Sequence, residues 1–236
     1  FEIRAPDTPS LTVTTAVDGL VPDDGLISLR EAVGFVADGV FPAGSVIGFD
    51  RAVFDGGAED VIRLTLGELA IPVSLAIDGD LDDDGTPDVV VSGDAAGDDT
   101  APGGITDVAA SAGALADNTR VISTAAGTQV TLDGLVVTGG RTEGDAPMFE
   151  DPSQSGAGIR ALGDLVLRNG TVAGNSTTGE NADGAGVFAG AGLTVTGSTI
   201  RGNIASGENS EGGGIRSRGD LLEVTGSAVL DNAAAD

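Results

Sequence analysis

Three stretches near the C-terminus restart on one phrase: Gly156-Ala-Gly-Ile159, Gly184-Ala-Gly-Val187 and Gly212-Gly-Gly-Ile215, with first glycines 28 residues apart both times. Within each unit a short apolar run (Leu165 to Leu167, Leu193 to Val195, Leu221 to Val224) precedes a second (Thr171-Val172, Thr199-Ile200, Ala228 to Leu230). The second run ends at an asparagine: Asn175, Asn203 or Asn232. One such unit has an apolar side that it cannot bury alone, so it must stack on copies of itself. The sequence therefore predicts an all-β solenoid with three short strands per coil of about 28 residues. In the middle coil these fall near Gly186–Phe188, Leu193–Thr196 and Ser198–Arg201. The asparagines are expected at turns with positive φ and as bonding partners between coils.

The solenoid is expected over residues 45–236, with excursions near 93–118 and 143–155, behind an N-terminal segment, 1–44, of one strand and one helix. The strand is Leu11–Thr15. The helix opens at Ser28, where Glu31 three residues later completes a capping box. Leu29, Ala32, Val33 and Val36 form one apolar stripe, and Gly39 and Pro42 end the pattern. An amphipathic helix here suits the open end of a solenoid, which otherwise leaves apolar side chains and strand edges uncovered. Further strands are read at Val46–Phe49, Val61–Thr65, Val73–Ile77, Val89–Ser92, Arg120–Ser123 and Val130–Thr138. Small branched side chains supply the core, since the chain has seven phenylalanines and neither tyrosine nor tryptophan. Thirty-nine glycines without a triplet period fit frequent turns, not collagen.

Charge narrows the partners. The net charge is −26, and all eleven cations are arginine. Such a chain repels phosphate, which excludes nucleic acid and disfavours anionic membranes. No apolar run approaches the roughly 18 residues that span a bilayer, so no membrane insertion is expected. Carboxylates in this number suit salty or calcium-bearing surroundings. With no cysteine there is neither a disulfide framework nor a thiol nucleophile. A chain opening on Phe1 is read as having lost a leader, and one stopping at Asp236 without a capping sequence as either truncated or made to meet something.

The sharpest local motif is Asp80-Leu-Asp82-Asp-Asp84-Gly85-Thr-Pro-Asp88. Oxygen ligands at positions 1, 3, 5 and 9 with glycine at 6 match the first part of an EF-hand calcium loop. Asp80, Asp82, Asp84 and Asp88 would give carboxylates and Thr86 its carbonyl to a structural Ca2+; the alternative is a solvated acidic turn. Position 12 is Val91, so another carboxylate must complete the shell, from among Asp78, Asp94, Asp98 and Asp99.

Catalysis has little to work with. Histidine, cysteine, lysine and tyrosine are all absent, which removes most general bases and covalent nucleophiles. A lyase-like mechanism would need calcium and an arginine base. Arg160 and Arg216 occupy equivalent positions two coils apart, with Arg218 adjacent, but Phe188 fills the position between them. The plainer reading pairs these arginines with local acids. Asn169-Gly-Thr171 and Asn175-Ser-Thr177 match the glycosylation pattern and are read as coincidental.

Leu11-Thr-Val-Thr-Thr-Ala16 followed by Ile27-Ser-Leu-Arg-Glu-Ala32 resembles the CSLREA-type N-terminal segment of secreted bacterial β-helix proteins, with isoleucine in place of the usual cysteine. The glycine-rich coils are similar to those of the same proteins and of polymorphic outer-membrane protein repeats, and Asp78 to Asp94 resembles a segment common among them. The resemblance implies a right-handed, single-stranded parallel β-helix at a cell surface or secreted. It also implies that position 27 serves packing and not redox chemistry. The function expected is a non-enzymatic structural protein of a bacterial surface: an adhesin stalk, or a filament or matrix subunit. Such a protein would associate end to end or with other surface proteins, and Phe1–Ser10 would serve as a reaching arm. A polysaccharide lyase or hydrolase, or a glycan-binding module, is the competing expectation.

Overall fold

The computed structural model describes residues 7–21, 23–55, 60–99, 105, 114–146 and 151–235. Most of the expected arm at Phe1–Ser10 lies outside them, as do half of the excursion expected at 93–118 and residues 147–150 of the one expected at 143–155. Among the described residues there is one α-helix, and all strand pairing is parallel, in four sheets of seven, six, five and four strands.

The chain visits the sheets in turn. In one repeat, Val187–Ala189 belongs to the five-stranded sheet, Leu193–Thr196 to the seven-stranded, Thr199–Arg201 to the six-stranded and Ile204–Ala205 to the four-stranded. Ile215–Ser217 then returns to the five-stranded sheet beside Val187–Ala189. Each strand thus pairs with its counterpart one repeat away, and like residues stack on like. Ile77, Leu132, Leu167, Val195 and Val224 make one column; Ile62, Val91, Val137, Val172, Ile200 and Val229 make another. Apart from Val224 and Val229 in the last repeat, these side chains are at most 1% exposed. Full burial of each contributes about 1.5–3 kcal/mol, and neither column contains an aromatic.

The expected three strands per coil become four. Arg141–Thr142, Ser176–Thr177, Ile204–Ala205 and Ala233–Ala234 form the additional sheet. Two-residue strands carry too little alternation to register in sequence. Leu69–Ile71 is likewise an additional strand, and the single run expected over Val130–Thr138 is two, Gln129–Asp133 and Leu135–Thr138, separated at Gly134 with φ +60°. The last repeat is one residue longer: Phe188 pairs with Arg216, but Leu193 pairs with Leu222.

The asparagines are corrected in one respect. Positive φ falls on the residue before each, at Gly174, Gly202 and Asp231, and not on Asn175, Asn203 or Asn232. Their expected bonding between coils is present. Asn175 donates to Asn203 Oδ1, Asn203 donates to Asn232 Oδ1, and Gly140 N–H donates to Asn175 Oδ1.

The helix spans Leu29–Ala37 and buries Leu29, Ala32, Val33 and Val36, the expected stripe. Both halves of the capping box form, Glu31 N–H to Ser28 Oγ (3.1 Å) and Ser28 N–H to Glu31 Oε2 (2.9 Å). Arg30 grips Asp18 through Nε and Nη2 and donates to the Gly67 and Glu68 carbonyls. Ile27 is buried in the same core. The helix packs on Thr12–Val13 and Leu69–Ile71, the first strands of the seven- and five-stranded sheets.

Candidate metal centre

The Asp80–Asp88 loop leaves the seven-stranded sheet after Leu75–Asp78 and enters the six-stranded sheet at Val89–Ser92. Its tight course is organised by its own carboxylates. Asp80 Oδ1 accepts the Asp84 N–H (3.1 Å) and Oδ2 the Gly85 N–H (2.9 Å), while Asp88 Oδ2 accepts the Leu81 N–H (2.7 Å). Asp83 and Gly85 take positive φ, as so sharp a bend requires.

Asp80, Asp82 and Asp88 each bring one carboxylate oxygen within 4.8 Å of the other two. Hard oxygens converging so closely suit a calcium-sized cation, and they repel one another without one. Asp84 is not one of this group: its Oδ1 accepts from both the N–H (2.8 Å) and the hydroxyl (2.5 Å) of Thr86. These two bonds hold the Asp84 carboxyl below its ordinary value.

Of the four carboxylates expected to complete the shell, Asp78 lies at this loop. It shares a polar hollow of about 400 Å3 with Asp80, Asp83, Asp84, Asp133 and Asn169. Burial raises the Asp78 carboxyl above its ordinary value; the Asp80 N–H opposes this, and the charges of Asp133, Asp80 and Asp83 reinforce it. Asp133 pairs in register with Asp78 on the neighbouring strand and accepts from Asn169 Nδ2 at 3.0 Å. Neither Asp133 nor Asn169 was legible as part of this hollow, because strand register alone brings them there. Asp94, Asp98 and Asp99 form a separate group, with an oxygen from each within 4.8 Å of the others.

The arginines considered for chemistry are engaged by acids. Arg216 meets Glu211 (2.7 Å) and Asp183 (3.6 Å), and Arg218 meets the same fully buried Asp183 (3.2 Å). Phe188, between Arg160 and Arg216 in register, is buried, and the Arg218 guanidinium stacks 5.1 Å from its ring centre. Arg160 and Arg120 converge on Glu68, at 3.8 and 2.6 Å. A groove of about 770 Å3 crosses the neighbouring outer face, lined by Gln129, Thr131, Asp164, Val166, Thr194 and Arg218 among others.

No helix among the described residues is long and apolar enough to cross a membrane. No family model, no curated protein and no solved structure matches the chain.

Proposed function

We propose that the chain is a non-enzymatic structural protein of a bacterial surface: a right-handed parallel β-helix, secreted or displayed, calcium-stabilised at Asp80, Asp82 and Asp88, that serves as an adhesin stalk or as a filament or matrix subunit. The observation that carries the assembly is the contrast between its two ends. All four sheets finish in one repeat, at Ile215–Ser217, Leu222–Thr225, Ala228–Leu230 and Ala233–Ala234. There Leu222, Val224, Val229 and Leu230 are 51%, 43%, 49% and 41% exposed, although their counterparts one repeat earlier, except the exposed Arg201, are fully buried. The edge offers unpaired backbone groups and apolar columns together. At the other end the helix lies over two of the four sheets. Another repeat of the same kind fits this edge, and a second copy docked end to end supplies one.

Electron microscopy and sedimentation of the purified chain, in calcium and in chelator, test this reading. Concentration-dependent association that Leu222→Asp and Val229→Asp abolish is the expected result. Monomers at every concentration would overturn the assembly.

The groove beside Arg218 favours a second reading, a glycan-binding module. Saturable glycan binding without turnover, lost in Arg218→Ala, would select it.

A further inference from the structure

We infer that Asp94, Asp98 and Asp99, together with the amide oxygen of Asn118, form a second divalent-cation site, separate from the Asp80–Asp88 loop. Three carboxylates alone would not carry this, since acidic turns are common in so acidic a chain. The independent observation is a pair of stranded acceptors. Asp99 is only 5% exposed. Its Oδ2 accepts from Asn118 Nδ2 at 2.9 Å, which leaves its buried Oδ1 without any hydrogen-bond partner. Asn118 Oδ1 is in the same condition, because that amide spends its donors on Asp99 and on the Gly139 carbonyl. Buried oxygens without partners are costly, and here both stranded atoms are acceptors. What they lack is something electropositive.

The surroundings tell which kind. Asp94 is fully buried, and its Oδ1 accepts the Gly97 N–H at 2.7 Å, which folds the turn back so that Asp98 and Asp99 meet it. Asp117, next to Asn118, closes the turn by accepting the Ala96 N–H at 2.6 Å. Arg63 lies against Gly97 and brings one positive charge to a neighbourhood of four carboxylates. The donor set is all oxygen, carboxylate and amide, with neither nitrogen nor sulfur. Such a set takes calcium, or magnesium less readily, because magnesium gives up its waters reluctantly. The site would fasten the segment after Val89–Ser92 to the approach of Ile122–Thr124, and so hold two successive sheets together across the excursion.

Calorimetric titration of the full chain with Ca2+ after chelation tests this, with folding of each variant checked by circular dichroism. The wild type is expected to bind two ions. Asp99→Asn, and separately the exposed Asp98→Asn, should each remove one ion or weaken it at least tenfold while leaving the other untouched. Asp82→Asn should remove only the other. Magnesium should bind the Asp99 site at least tenfold more weakly. Unchanged stoichiometry and affinity in both Asp99→Asn and Asp98→Asn would overturn the site. A single ion lost in Asp82→Asn and retained in Asp99→Asn would overturn it equally, and would assign the stranded oxygens to water or to a protonated Asp99.

Discussion

Asn175 donates both its backbone N–H (3.1 Å) and its side-chain amide (2.9 Å) to one atom, Oδ1 of Asn203, and Asn203 repeats the pattern on Asn232 (3.0 and 2.9 Å). The remaining amide hydrogens reach the Val137, Val172 and Ile200 carbonyls. Asn175 and Asn203 are fully buried, so the ladder satisfies polar groups at a corner where the backbone leaves one sheet for the next. Asn203→Ala removes links on both sides and strands donors of Asn175. It should cost about 2–4 kcal/mol in urea unfolding. Asn232→Ala, at the open end of the ladder, should cost clearly less.

Glycines 144, 179 and 207 form a second column, in which backbone lies directly on backbone. A Cβ on Gly207 would stand 1.7 Å from the Gly179 carbonyl oxygen, and one on Gly179 equally close to that of Gly144. Gly202, with φ +61°, has open space around it. Gly202→Ala should therefore cost only the left-handed strain, about 1–2 kcal/mol. Gly207→Ala must push coils apart and should cost more, a ranking that thermal unfolding followed by circular dichroism will read.

Glu68 gathers Arg120, Arg160 and Ser123 from neighbouring strands. Burial pushes its carboxyl up, but the Arg120 hydrogen bond and charge, with help from Ser123 and Arg160, leave it below its ordinary value near 4.5. A carboxyl lowered by folding contributes stability above that ordinary value and loses it as pH falls through the lowered one. Glu68→Gln leaves the buried Arg120 without its counter-charge. With Glu68 itself about a third exposed, a discounted cost of about 1–3 kcal/mol is expected at pH 7. The gap between variant and wild type should shrink steadily below pH 4.5 in denaturant titrations.

Calcium should raise the unfolding temperature and chelator should lower it. An ion held at one hundred times its dissociation constant adds about 2.7 kcal/mol. Asp82→Asn should diminish this response while leaving the calcium-free protein as stable as the wild type or slightly more so, because one repelling charge is gone. Asp80→Asn should also weaken the loop in chelator, since Asp80 accepts the Asp84 and Gly85 N–H groups.

What was legible in the sequence was whatever depends on near neighbours. The capping box at Ser28 and Glu31 and the stripe through Val36 lie within a few residues and take the expected form, and of the expected ligands Asp80, Asp82, Asp84, Thr86 and Asp88 the structure groups the carboxylates of Asp80, Asp82 and Asp88. The 28-residue return of Leu165 at Leu193 likewise becomes register. The fourth strand escaped notice because Ser176-Thr177 and Ala233-Ala234 look like turn residues and become strands only by pairing. The approach of Asp133 to Asp78, and of Asn118 to Asp99, depends on how excursions of irregular length bring distant segments back.

The helix on the first strands and the bare final repeat give the molecule a direction of failure. Within these 236 residues all four sheets end on the last repeat, whose columns and ladders meet a neighbouring repeat on one side. In this 236-residue chain opening should start there and travel toward Leu29–Ala37, so amide exchange would run fastest at Leu222–Thr225 and slow repeat by repeat. A pull on Ala235 would peel the chain one repeat at a time. The same load applied at the N-terminal end would first have to release Asp7 from Asp23 and Gly25, part Thr12–Val13 from Gly48 and Phe49, and then break the grip of Arg30 on Asp18.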